Sequence, residues 1–258
     1  MAADPVLLDL HDGIATLTLN RADKLNALSR EVMHALAARL DEVDAAAAGL
    51  RVVLITGSGR AFSAGGDLVE FDDALRADPV RLLADLRFNQ RLMNRVEALP
   101  VPVVGVANGL AVAGGLELLL CCDLVLAAEG AHLGDGHARY GVVPAGGATV
   151  RLRERIAPAR AAQLFYTAGL VDAETMRAWG LVNEVLPAER LMARAFELAR
   201  EIARCSPEAV GHIKALSAPA PERQRRLEAE LERFAEHIGG HDLARGLSAF
   251  RTRQAPRY

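Results

Sequence analysis

Glu117 is the residue whose surroundings most need a chemical reason. It stands in Leu116-Glu117-Leu118-Leu119-Leu120, and a carboxylate among leucines is costly unless it meets a polar partner or a site. Ahead of it run Ala113-Gly114-Gly115, Asn108-Gly109 and an apolar segment, Val101 to Val106. Valines behind prolines suit a buried strand, and Leu116 to Leu120 suit a helix. A helix starting near Gly114 directs free N–H groups and its positive end at whatever lies before it, with Glu117 in the first turn. The small residues let another backbone or a ligand come close. N–H donors for a developing oxyanion, with a carboxylate beside them, are the parts that acyl-enolate chemistry requires.

A second glycine-bearing loop, Gly57-Ser58-Gly59-Arg60-Ala61-Phe62-Ser63-Ala64-Gly65-Gly66-Asp67-Leu68, could supply another such donor through Gly65-Gly66. It is no P-loop, since no Gly-Lys-Ser/Thr follows, and no dinucleotide fingerprint, since Phe62 stands where the third glycine belongs. Ala61-Phe62-Ser63-Ala64-Gly65 is one residue away from a nucleophile elbow, so a serine hydrolase using Ser63 stays open at this point. So does a strand–turn–helix at Leu99 to Val125 that carries no chemistry. A membrane span there is disfavoured by two prolines, four glycines between Gly105 and Gly115, Asn108 and Glu117.

The 258 residues suffice for one large domain, or one with a small appendage. A net charge of −3 offers no basic field for nucleic acid, and 4% aromatics gives little for base stacking. Three cysteines, two of them adjacent (Cys121, Cys122), form neither a disulfide framework nor a metal-ligand spacing. The N-terminal MAADPVLLDLHDG lacks a secretory pattern, so a cytoplasmic protein is expected. No internal repeat of fixed period is evident.

The elements that must position these groups read as α/β. Val6 to Leu10 and Ile14 to Leu19 predict a hairpin around Gly13. Ser29 caps a helix with Val32, Leu36 and Leu40 on one face. Val52 to Thr56 is a buried strand, and Asp72 to Leu99 reads as helical with Pro79 near the start of its main segment. Leu124 to Ala127 is a strand, and Ala131 to Val143 an irregular polar segment holding His132, Asp135 and His137. A helix starts near Thr149. Asp172 caps a short helix ended by Gly180, and Leu181 to Leu186 is strand-like. From Pro187 the pattern is helical only, with Leu191, Phe196, Leu198 and Ile202, then Leu227, Leu231, Phe234 and Ile238 as faces. Pro207, Pro219, Gly239 and Gly240 punctuate this part. An α/β core to about residue 190 thus precedes a helical tail, which packs on its own core or on a partner subunit.

The ordered set of motifs resembles the enoyl-CoA hydratase/isomerase (crotonase) superfamily over nearly the whole chain. It comprises Asn20-Arg21 with Lys24-x-Asn26-Ala27-Leu28, Ala61 to Leu68, Pro102-Val103-Val104 to Asn108-Gly109, and Gly114-Gly115-Leu116-Glu117-Leu118. Cys122-Asp123, Gly141-Val142-Val143-Pro144 with Gly146-Gly147, and Gly180-Leu181-Val182-Asn183 complete it. The resemblance implies a crotonase-like spiral of β-β-α turns, with residues 1–190 an acyl-CoA-binding core and 191–258 a helical trimerisation segment. It implies a homotrimer or dimer of trimers, a coenzyme A thioester as substrate, and no metal or redox cofactor. The amides of Gly66 and Gly114 correspond to the oxyanion hole; Lys24, Ala27, Ala64, Asp67 and Leu68 fall where the family holds coenzyme A. Glu117 matches the first of two hydratase glutamates. The second belongs seven residues before the Gly-x-x-Pro proline, where this chain has His137, an imidazole able to act as acid or base. That exchange leaves room for an enoyl-CoA isomerase, for a β-diketone C–C hydrolase, whose aspartate would fall at Gly146, or for a non-catalytic acyl-CoA binder. His132 reads as an ordinary strand-end residue.

Overall fold

Residues 4–218 and 222–258 are described by a computed structural model; Pro219 and the first three residues of the N-terminal segment lie outside them. The chain begins with β1 (Val6–His11) and β2 (Ile14–Leu19), the expected hairpin, then α1 (Arg30–Ala45), whose Ser29 cap accepts from the Val32 amide. There follow β3 (Val52–Gly57), β4 (Ala61–Ser63), α2 (Leu68–Ala77) and α3 (Pro79–Glu97). Next come β5 (Val103–Ala107), β6 (Leu110–Val112), α4 (Gly114–Leu120), β7 (Leu124–Ala128) and β8 (His132–Gly134). After them stand α5 (Ala148–Arg155), α6 (Pro158–Thr167), β9 (Leu170–Asp172), α7 (Ala173–Trp179) and β10 (Glu184–Leu186). The tail is α8 (Ala188–Ala203), α9 (Pro207–Leu216), α10 (Glu222–His237) and α11 (His241–Arg251).

The strands divide between two sheets, one ordered β1-β2-β3-β5-β7-β10 and the other β4-β6-β8-β9. Each of β3–β4, β5–β6 and β7–β8 places one strand in each sheet before the chain returns through helix, which is the spiral of β-β-α turns. The intervening helices differ in length, so β3, β5 and β7 begin at the unequal spacings of Val52, Val103 and Leu124 and no fixed sequence period results. In the first sheet all pairings after the β1–β2 hairpin are parallel. A parallel sheet covered on both faces needs continuous apolar strands. Val53 and Ile55 accordingly join α1 and α4 on one face. Val52, Leu54, Val104 and Val106 join α8 on the other, against Leu191, Ala195 and Ala199.

Three details differ from the sequence reading. Asp72 to Leu99 is not one helix: Asp78 is extended (φ −156°, ψ 88°), as a residue before proline tends to be, and its carboxylate caps α3. The segment 131–143 is not wholly irregular, because His132–Gly134 forms β8 and His137–Tyr140 a short 3-10 turn. The last strand is confined to Glu184–Leu186, shorter than Leu181 to Leu186. Among the described residues no helix is long and apolar enough to cross a membrane; the stretch Leu99 to Val125 is divided among β5, β6, α4 and the start of β7.

Candidate active site

The two glycine turns meet. After β4 the chain bends through Gly65, whose φ of +85° suits glycine, and its carbonyl accepts from the Leu28 amide at 2.7 Å. After β6 it bends through Ala113, at φ +52° and ψ −120°, a conformation that costs a non-glycine residue about 1–3 kcal/mol. A Cβ on Gly65 would lie 3.2 Å from the Gly114 nitrogen, and one on Gly114 would lie 3.5 Å from the Gly66 nitrogen. Among the described residues neither the Gly66 nor the Gly114 N–H meets an acceptor. Ser63 cannot serve as a nucleophile in this arrangement: it is fully buried, donates to the Asn26 carbonyl at 2.9 Å and accepts from Gly65 N at 3.1 Å.

Glu117 is 3% exposed, and the polar partner its setting demands is the start of α5. Its Oε1 accepts from the amides of Gly146 at 2.9 Å and Ala148 at 3.1 Å, groups left free at a helix N-terminus. Its Oε2 faces His137 Nε2 at 4.0 Å, beyond hydrogen-bond range. A Cβ on Gly146 would come 2.5 Å from Oε2 and 2.8 Å from Met93 Sδ. An aspartate there, as the C–C hydrolase reading requires, has no room beside Glu117 as it stands. Gly146→Ala is expected to push the Glu117 carboxylate out of line and to lower the rate of a reaction that uses it by about a hundredfold, the scale of a 1 Å misplacement, as steady-state kinetics checks.

His137 is held from behind. Its Nδ1 lies 2.9 Å from Asp135 Oδ1, and its amide donates to Asp135 Oδ2 at 3.3 Å. Burial acts to lower the imidazole pKa, but the charge and hydrogen bond of Asp135, then Glu117 and Glu230, outweigh it and raise it to about 9. At neutral pH His137 is therefore an imidazolium, with Nδ1–H on Asp135 and Nε2–H toward Glu117. Asp135→Asn is expected to bring the His137 titration midpoint down from about 9 toward neutrality, read from the imidazole resonances by NMR; an unmoved midpoint would exclude Asp135 as the cause.

One cavity of about 840 Å³ gathers these groups. Gly66, Gly114, Glu117 and His137 line it, and so do Lys24, Ala27, Ala64, Asp67 and Leu68. Asp67 also caps α2 by accepting from Glu70 N at 3.3 Å, and lies 3.8 Å from Arg21, a cation of the Asn20-Arg21 motif that also lines the cavity. His132 is exposed on β8 and is not among the lining residues. The tail contributes to the wall through Phe234 of α10 and Phe250 of α11. Arg251 fastens α11 to α2 by pairing with buried Asp72 and with Asp73, so the tail does pack on its own core. Two acids escaped placement from sequence. Asp135 sits in a stretch without periodicity. Glu230 shares a helical face with Leu227, Leu231 and Phe234, and an acid in an apolar stripe was the signal that could have revealed it.

The model of the enoyl-CoA hydratase/isomerase family matches residues 9–258. A crotonyl-CoA hydratase of Syntrophomonas wolfei is 31% identical, over 97% of this chain and 96% of that protein. A 1,2-epoxyphenylacetyl-CoA isomerase of Escherichia coli is 32% identical, over 98% of this chain and 97% of its own. The crystal structure of an enoyl-CoA hydratase/isomerase from Mycobacterium paratuberculosis superposes with a TM-score of 0.87 at 29% identity, covering 95% of this chain and 98% of that one. With its strands wound in β-β-α turns and its glycine turns abutting beside a buried glutamate, this chain belongs to the enoyl-CoA hydratase/isomerase family.

Proposed function

We propose that the protein adds water to a 2-enoyl-CoA, with Glu117 as general base, His137 as general acid, and the Gly66 and Gly114 amides as the oxyanion hole. The observation that carries this is the pairing of Glu117 Oε2 with His137 Nε2, 4.0 Å apart in one cavity beside the two converging amides. Glu117 takes a proton from water as its oxygen adds to Cβ. The displaced electron pair moves through Cα to the thioester oxygen, where the two N–H groups stabilise the enolate; one such donor is worth about 3–4 kcal/mol in the transition state. His137 then gives its Nε2 proton to Cα on the same face. The proton held by Glu117 returns to His137, whose charged form the surrounding carboxylates favour.

Lys24, Ala27, Ala64, Asp67 and Leu68 are assigned to coenzyme A on their place in the cavity wall. No metal or redox cofactor enters this scheme, since coenzyme A arrives as part of the substrate. A homotrimer or dimer of trimers and a cytoplasmic location belong to the same reading. Three free thiols suit a reducing compartment, and light scattering in solution tests the assembly. The reaction is tested by incubating the protein with short- and long-chain 2-enoyl-CoA esters, following loss of the conjugated double bond and identifying the 3-hydroxyacyl product. Tight acyl-CoA binding without product from any ester would instead support a non-catalytic binder.

A further inference from the structure

The tail places a second carboxylate on the helix end that holds Glu117. Glu230 is 5% exposed and accepts from the Gly147 amide, from the Thr149 amide at 2.7 Å and from the Thr149 hydroxyl. Glu117 takes the alternate amides, Gly146 and Ala148. The four N–H groups at the start of α5 are thus shared two and two between α4 and α10. Other groups steady the same turn: Arg151 donates to the Gly146 carbonyl at 2.8 Å while paired with Glu97, and Gln90 of α3 bridges the Leu227 and Ala145 carbonyls. The charge of Glu117 acts on Glu230, and that of Glu230 acts on His137.

We propose that Glu230 is a positioning residue for the reaction: by holding Gly147 and Thr149 it fixes the turn whose other two amides aim Glu117 at the substrate. This rests on Glu117 being the base. Burial, then the charge of Glu117, raise the Glu230 pKa to about 7, against the pull of its Thr149 and Gly147 hydrogen bonds. As pH rises through that value Glu230 becomes the carboxylate that grips the turn most strongly, so kcat/KM gains a step there that belongs to a residue off the reacting atoms.

Glu230→Gln keeps the size but loses the charge and one acceptor. It is expected to lower kcat about tenfold to a hundredfold with KM within about twofold, to remove the step near pH 7, and to speed hydrogen exchange at Gly146 and Ala148. Thr149→Val removes only the hydroxyl donor and is expected to move that step to higher pH. A folded Glu230→Gln variant with wild-type kcat and unchanged exchange overturns the proposal, and so does a Thr149→Val step that stays in place. The exchange measurement needs no substrate. If the wild-type protein converts no enoyl ester, the assigned reaction fails while the hold of Glu230 on the turn is still decided.

Discussion

Glu117→Gln is expected to lower kcat for enoyl-CoA hydration by about 10²–10⁴-fold, the usual worth of a positioned general base, with saturated acyl-CoA binding nearly unchanged. Glutamine has the size of glutamate and keeps one oxygen to accept from Gly146 and Ala148, so the start of α5 stays capped. The group facing His137 becomes an amide NH2, which can neither take a proton from water nor pair with an imidazolium. In the proposed reading binding rests on the two glycine amides and the rest of the cavity wall, and an isosteric change at Glu117 leaves these in place. Stopped-flow or steady-state loss of the conjugated chromophore gives kcat, and calorimetry with a saturated acyl-CoA gives Kd. Undiminished turnover would remove Glu117 from the role of base.

His137→Gln is expected to cost a similar 10²–10⁴-fold and to change the shape of the pH profile. With His137 as the proposed acid, kcat/KM of the wild-type protein is expected to fall as pH rises through about 9, the value that Asp135 and the nearby glutamates impose. That limb disappears in the variant. Stability follows the same sign. Because the folded state binds this proton more tightly than the unfolded chain, the contribution of His137 is fully present below about pH 6.5 and is lost as pH climbs through about 9. A variant that keeps the alkaline limb would show that another group supplies it.

The site was legible in the sequence where a residue contradicted its neighbourhood. Glu117 among leucines demanded a polar partner, and the structure supplies the N-terminus of α5. Glycine pairs ahead of apolar segments located the two turns, though only the folded chain shows that they abut. His137 was singled out by its place in a family pattern, since nothing in Gly136-His137-Ala138 distinguishes it locally. The short strands β6 and β8 carry too few residues for alternation to register; they are set by pairing with each other. The break at Asp78 is signalled by Pro79, which restricts the residue before it and marks the start of the main helical segment, although apolar spacing makes Asp72 to Leu99 read as continuously helical. In α8 the apolar spacing marks a face through Leu191, Phe196, Leu198 and Ile202, whereas the fully buried stripe is Leu191, Ala195 and Ala199. Small side chains there let the helix lie close on the sheet.

The cavity takes its walls from residues as far apart in the chain as Arg21 and Phe250. During synthesis the strands and both glycine turns emerge before α10 and α11. The chamber is therefore incomplete in a nascent chain until α11 has emerged and packed on α2, however early the strands form.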